Sequence, residues 1–226
     1  MTLDEKVRLC AEVVEEVAGR ARDIVNAGMP ATYETVLLVR EFDRIGVDGI
    51  AVITPFFIEV TQDGLERHFT SVADAGATPI YLHDIPARTR NHIEPATARR
   101  LAAYLEVGCD AAAFEVYSGP DHLVHWSLQH GAAGCISGLG NVMPDVLARI
   151  LACFNAGDEA GAAAAQDIYG RFRKELYALG YPPALVKRAL YLMDPSVGAS
   201  RQPALLPDPG QDARLATILR SYGLLG

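Results

Sequence analysis

The chain has 226 residues, of which 50% are hydrophobic and 21% charged, with a formal net charge of −8. An acidic balance with no basic cluster argues against nucleic acid or an anionic membrane as a partner. No apolar run is long enough to span a bilayer and no signal peptide is visible, so the reading is of a globular protein with a sizeable core. Cys10, Cys109, Cys135 and Cys153 have no CxxC spacing and lie mostly in apolar runs, which predicts reduced, buried thiols in the cytoplasm rather than disulfides or zinc ligands.

The first predicted element is a helix. Thr2 and Glu5 have capping-box spacing, Val7, Cys10, Ala11, Val14, Val17 and Ala18 mark its apolar face, and Gly19 ends it. Asp23 to Ala27 reads as the first strand, GMPAT as its turn, and Tyr33 to Ile45 as a helix. The pattern repeats with a strand at Ile50 to Thr54, Thr61 as an N-cap, and Leu65, Phe69, Val72 and Ala73 as the buried stripe of the next helix.

The stretch Pro79 to Arg90, PIYLHDIPARTR, organises the rest. Ile80, Leu82 and Ile85 predict a strand covered on both faces, with Tyr81 and His83 sharing the opposite parity. The strand stops at Pro86, which places Arg88 and Thr89 on a loop at its C-terminal end, where parallel barrels carry their chemistry. A helix follows from Pro95. Strands at Ala112 to Tyr117 and Gly134 to Ser137, a helix from Pro144, and helical stretches at Asp158 to Leu179, Pro183 to Leu192 and Asp212 to Tyr222 complete the order, with a Pro/Gly-rich loop from Gln202 to Gly210. Strand and helix alternate, which predicts parallel strands with right-handed crossovers in one domain, 1–226, whose residues 158–226 form a helical block. A (β/α)8 barrel needs about 250 residues. Five predicted strands cannot close one.

Four segments occur in a telling order: TPFF at Thr54 to Phe57, LHDIPART at Leu82 to Thr89, SGPD at Ser118 to Asp121 and ISGLGN at Ile136 to Asn141. Together they resemble the dihydrodipicolinate synthase/N-acetylneuraminate lyase family, (β/α)8 barrels that condense or release pyruvate through a lysine Schiff base. The resemblance implies an α/β fold of TIM-barrel type, incomplete here, a lyase or aldolase activity on a 2-oxo acid without a separate cofactor, and a homo-oligomer. It places His83 where the family has a proton-shuttling tyrosine, and Arg88 where an arginine binds the second substrate's carboxylate. Gly119 and Ile136 match the wall of the pyruvyl pocket, with Ser137 beside them.

Three departures bear on activity. The helix at Thr2 follows, in the family, two strands and a carboxylate-binding GTTGE-like loop. Between Tyr104 and Ala112 the family has a further strand with a GIKDSSGD-like motif that carries the Schiff-base lysine, whereas the lysines here are Lys6, Lys174 and Lys187, none on a predicted strand. Phe57 stands where many family members have a tyrosine, so its hydroxyl relay cannot form. Forming an imine requires a lysine with a lowered ammonium pKa, so the family activity is expected to be impaired. Two alternatives stand beside it: a non-catalytic descendant that binds ligands or partners, and a metal-dependent barrel enzyme using His122, His125 and His130.

Overall fold

The computed structural model of the chain describes residues 1–105 and 115–226. These fall into two compact units, Met1–Phe114 and Glu115–Gly226.

In the first unit α1 (Leu3–Val17) begins at the expected capping box: the Glu5 amide donates to Thr2 Oγ1 at 3.1 Å and the Thr2 amide to Glu5 Oε2 at 2.8 Å. It ends through Ala18 and Gly19, both left-handed. There follow β1 (Ile24–Asn26), α2 (Thr32–Ile45), β2 (Gly49–Ile53), α3 (Gln62–Ala73), β3 (Ile80–His83), a short α4 (Pro86–Thr89) and α5 (Pro95–Leu105). The strands form a parallel sheet in the order β1-β2-β3, with Val25 beside Ile50 and Ile50 beside Ile80. The central β2 sends Ile50 and Val52 into a core shared with Leu38, Val39 and Phe42 of α2 and Leu65, Phe69 and Val72 of α3. Each such side chain stabilises by about 1.5–3 kcal/mol. Gly49 is required where it is, because a Cβ there would stand 2.5 Å from the Tyr81 ring.

Two expectations are corrected here. The strand at Ile80 is not covered on both faces: Ile80, Tyr81 and Leu82 are half-buried and His83 is exposed. Among the described strands β3 is the sheet's edge, so part of its surface stays open. Pro86 does not open a loop but a helical turn. Its fixed φ suits a first helical position, and the amides of Arg88 and Thr89 both donate to Ile85 O, at 2.8 and 3.2 Å.

The second unit holds β4 (Tyr117–Ser118), α6 (Val124–Gln129), β5 (Gly134–Cys135), α7 (Pro144–Asn155), α8 (Glu159–Tyr177), α9 (Pro182–Met193) and α10 (Pro209–Ser221), with single 3-10 turns at Asp121–Leu123, Leu139–Asn141 and Pro195–Val197. β4 and β5 pair in parallel. Tyr169, Phe172 and Leu176 of α8 form the buried ridge on which Ile150 of α7, Leu185 of α9 and Leu215 and Leu219 of α10 pack. Arg188 holds Asp212 from its Nε at 2.8 Å, tying α9 to α10 and keeping the Asp212 carboxyl below the usual carboxylate range. The predicted strand at Ala112 to Tyr117 is described only from its later residues; 112–114, like Cys109, lie outside the described residues. The strand expected to reach Ser137 ends at Cys135. Five strands are present among the described residues, all paired in parallel.

Candidate functional site

In the first unit the segments after β2 and β3 are bound to one another by buried polar side chains. Thr54, directly after β2, donates to Thr89 Oγ1 at 2.8 Å, and Thr89 donates to Asn91 O at 3.0 Å. Asn91 spends its whole carboxamide on the neighbouring loop. Its Nδ2 donates to Pro55 O at 2.7 Å and Ile58 O at 2.8 Å, and its Oδ1 accepts from the Val60 amide at 2.9 Å. Thr54, Thr89 and Asn91 are all buried. This clamp holds Phe57 in a left-handed conformation, φ 82°, with its ring 96% exposed. A non-glycine residue held there costs about 1 kcal/mol or more, which the three Asn91 hydrogen bonds offset.

The β3 end carries the two residues read from the sequence. His83 is tied to Thr54 only through its backbone, the Thr54 amide donating to His83 O at 3.3 Å. Its imidazole is exposed and makes no hydrogen bond among the described residues. Arg88, on α4, is likewise exposed with a guanidinium that pairs with no carboxylate among them. Sequence reasoning missed what lies between and after them. Asp84 Oδ2 stands 2.6 Å from His92 Nδ1, and its Oδ1 accepts from the Ile93 amide at 3.2 Å. Gln62 of α3 donates to His92 O at 2.8 Å and accepts from the Glu94 amide and Thr97 Oγ1. The stretch from Asn91 to Glu94 is thus fixed from three directions.

In the second unit Gly119 and Ile136 each stand one residue past a strand end, at adjacent register positions, and both are exposed. The Ile136 amide donates to Ser118 O at 2.9 Å. Ser137 turns inward instead. Its hydroxyl donates to Asp121 Oδ1, accepts from the Tyr169 phenol at 2.6 Å and from the Gly140 amide at 3.0 Å. One proton given and two accepted exhaust a hydroxyl. Tyr177 donates to the other Asp121 oxygen at 3.2 Å, and Gln166 to the Asp121 carbonyl at 3.1 Å. Burial pushes the Tyr177 phenol up to about 12, helped by the Asp121 charge, and raises the Tyr169 phenol further still. Burial and Asp121 also raise the Cys135 thiol.

Two of the three histidines in the second unit have local partners. His125 Nε2 lies 2.8 Å from Glu159 Oε2. His130 stacks on Trp126 with ring centroids 3.9 Å apart and bonds the Trp126 carbonyl. Among the described residues no three His, Cys, Asp or Glu side chains converge to hold a metal ion. The three lysines lie on helices: Lys6 on α1, where Nζ meets Met29 Sδ at 3.0 Å, Lys174 on α8 and Lys187 on α9. No helix among the described residues is long and apolar enough to cross a membrane.

With this geometry in hand, the likeness to known proteins is specific. Residues 1–113 and 109–221 match the Dihydrodipicolinate synthetase family. The 4-hydroxy-tetrahydrodipicolinate synthase of Heliobacterium modesticaldum is 33% identical over 242 aligned positions, covering 99% of this chain and 80% of its own. Among solved structures, the synthase of Cyanidioschyzon merolae with lysine bound superposes with a TM-score of 0.91 at 26% identity, over 100% of this chain and 82% of that one. YagE, a prophage protein of E. coli K12 in complex with pyruvate, gives 0.88 at 26% identity, over 99% and 83%. An alignment of 242 positions exceeds the 226 residues available, so at least 16 positions within it carry no residue of this chain. The family is also matched in two stretches that meet at residues 109–113.

Proposed function

The chain belongs to the dihydrodipicolinate synthetase family, with the α/β fold of an incomplete (β/α) barrel, and from that premise we propose that it binds a small 2-oxo acid such as pyruvate without forming the family's lysine imine. The observation that carries this reading is the lysine inventory. All three lysines are on helices, and none lies between Lys6 and Lys174. The resemblance puts the Schiff-base strand between Tyr104 and Ala112, and the family is matched in two stretches that overlap at 109–113, which supports a loss there. A primary amine is needed to attack the ketone carbon and to act later as the electron sink; arginine and histidine do neither.

What remains suits binding. Arg88 is exposed, and a planar guanidinium can hold a carboxylate through two parallel hydrogen bonds. The resemblance puts His83 at the position of the family's tyrosine, and its imidazole is exposed. Gly119 and Ile136 keep their places at strand ends, and Ser137 fastens the turn between them and α8 rather than offering its hydroxyl to a ligand. Pyruvate in the YagE complex supports the ligand class. The same reading makes the chain a cytoplasmic homo-oligomer, with the loop of Phe56 and the exposed Phe57 as the contact segment. Of the histidines that a metal-dependent reading would use, His125 and His130 are engaged by Glu159 and Trp126.

The test is borohydride trapping. The intact chain incubated with pyruvate and reduced should show no adduct by mass spectrometry, while calorimetry should detect pyruvate binding, and Arg88→Ala should weaken binding of a small carboxylate.

A further inference from the structure

We infer that His92, oriented by Asp84, is a general base that removes the C3 proton of a 2-oxo acid held at the β3 end, with no covalent intermediate. The inference rests on the 2-oxo-acid reading above and adds to it a base that the sequence did not reveal.

The argument starts from protons. A carboxylate can only accept, so the 2.6 Å contact between Asp84 Oδ2 and His92 Nδ1 requires the hydrogen on Nδ1. The lone pair of the neutral ring is then on Nε2, which has no hydrogen bond among the described residues. The side chain is 58% exposed, so the ring is open to solvent. Its frame is rigid: Asp84 also accepts from the Ile93 amide, and Gln62 holds the His92 carbonyl. A base whose tautomer and direction are set by a third group is the arrangement proton-transfer sites use.

Two other histidines of this unit lack one half of that arrangement. His83 is accessible, but nothing fixes its tautomer. His68 has Nδ1 2.9 Å from the Thr32 hydroxyl, which can donate or accept, and an unpartnered Nε2, and at 2% exposure it is out of reach of any ligand. Charge completes the case. The segment from His83 to His92 carries Arg88 and Arg90 against the single carboxylate Asp84, a locally positive stretch in a chain of net charge −8. That favours an anionic substrate.

The step balances without an oxidant or cofactor. Nε2 takes a proton from C3, the C–H electron pair forms the C2–C3 double bond, and the carbonyl pair moves onto oxygen as an enolate. The imidazolium formed is stabilised by Asp84, and proton return to C3 regenerates the ketone. In D2O each cycle replaces one methyl hydrogen by deuterium.

The experiment follows loss of the pyruvate methyl proton signal by NMR in D2O with the intact chain, and calorimetry on the same samples reports binding. Exchange should saturate with pyruvate and exceed that of free imidazole at equal concentration. His92→Gln should abolish the excess, Asp84→Asn should reduce it at least about ten-fold, and His122→Gln should leave it unchanged. Matching thermal melts establish that the variants fold. Pyruvate binding with no excess exchange, or an excess that survives His92→Gln, overturns the inference and leaves the binding reading standing. Excess exchange lost in His83→Ala but kept in His92→Gln assigns the base to His83 and overturns it equally. No pyruvate binding at all overturns the 2-oxo-acid reading, and this inference with it.

Discussion

The carboxamide nitrogen of Asn91 lies 2.7 Å from the carbonyl oxygen of Pro55, a link across 36 residues that joins the loop after β2 to the loop after β3. The same side chain holds Ile58 and Val60, so one residue sets the loop that exposes Phe57.

Asn91→Ala leaves the buried Pro55 carbonyl and the part-buried Ile58 carbonyl and Val60 amide without their partner. The expected cost is about 2–3 kcal/mol, read from urea unfolding. Hydrogen exchange at the Val60 amide should speed up beyond that global change, since its acceptor is gone. An unaltered Val60 amide would mean that the loop is held by something else.

His68 makes stability depend on pH. Burial lowers its pKa to about 4, while the unfolded chain titrates near 6.5. Between these values the unfolded state binds the proton and the folded state does not, so stability falls as pH drops from about 6.5 to 4 and is unaffected by this group above 7. The loss approaches about 3 kcal/mol at the acid end. Denaturant unfolding across pH 4–7 should show this slope, and His68→Leu should flatten it.

The fold and family were legible in local signals. The Thr2–Glu5 box, the Thr61 cap and the proline starts at Pro95 and Pro144 each depend on residues within a few positions of one another. The burial of β3 was misjudged because an apolar run looks the same in a central strand and at an edge. Asn91, the Asp84–His92 pair and the Asp121 cluster were not visible, because their partners are chosen by tertiary packing: Asp121 meets Tyr177 across 56 residues. Ser137 was legible as a position but not as a role, since only its neighbours reveal that its hydroxyl is fully used.

Asp121→Ala should destabilise the second unit by about 1–3 kcal/mol, because the half-buried hydroxyls of Ser137 and Tyr177 lose their acceptor. Asp121→Asn keeps the shape and removes the charge. It should lower the Tyr177 phenol from about 12 without restoring it fully, as burial is the larger cause. Ultraviolet titration of the two proteins measures the difference.

Arg88→Ala should weaken binding of a small carboxylate by about ten-fold or more, the usual scale of a charge-assisted hydrogen bond, with an unchanged melting temperature because the side chain is exposed. Equal affinity of the two proteins by calorimetry would make Arg88 an ordinary surface residue.

The central claim is that this family member has lost imine chemistry, and reduction of the protein–pyruvate mixture with borohydride tests it most directly. Intact-mass measurement should show an unmodified chain at any pyruvate concentration that saturates binding. A reduced pyruvyl adduct mapped by peptide analysis to Lys6, Lys174 or Lys187 would contradict the account, because it would show a helical lysine forming the imine.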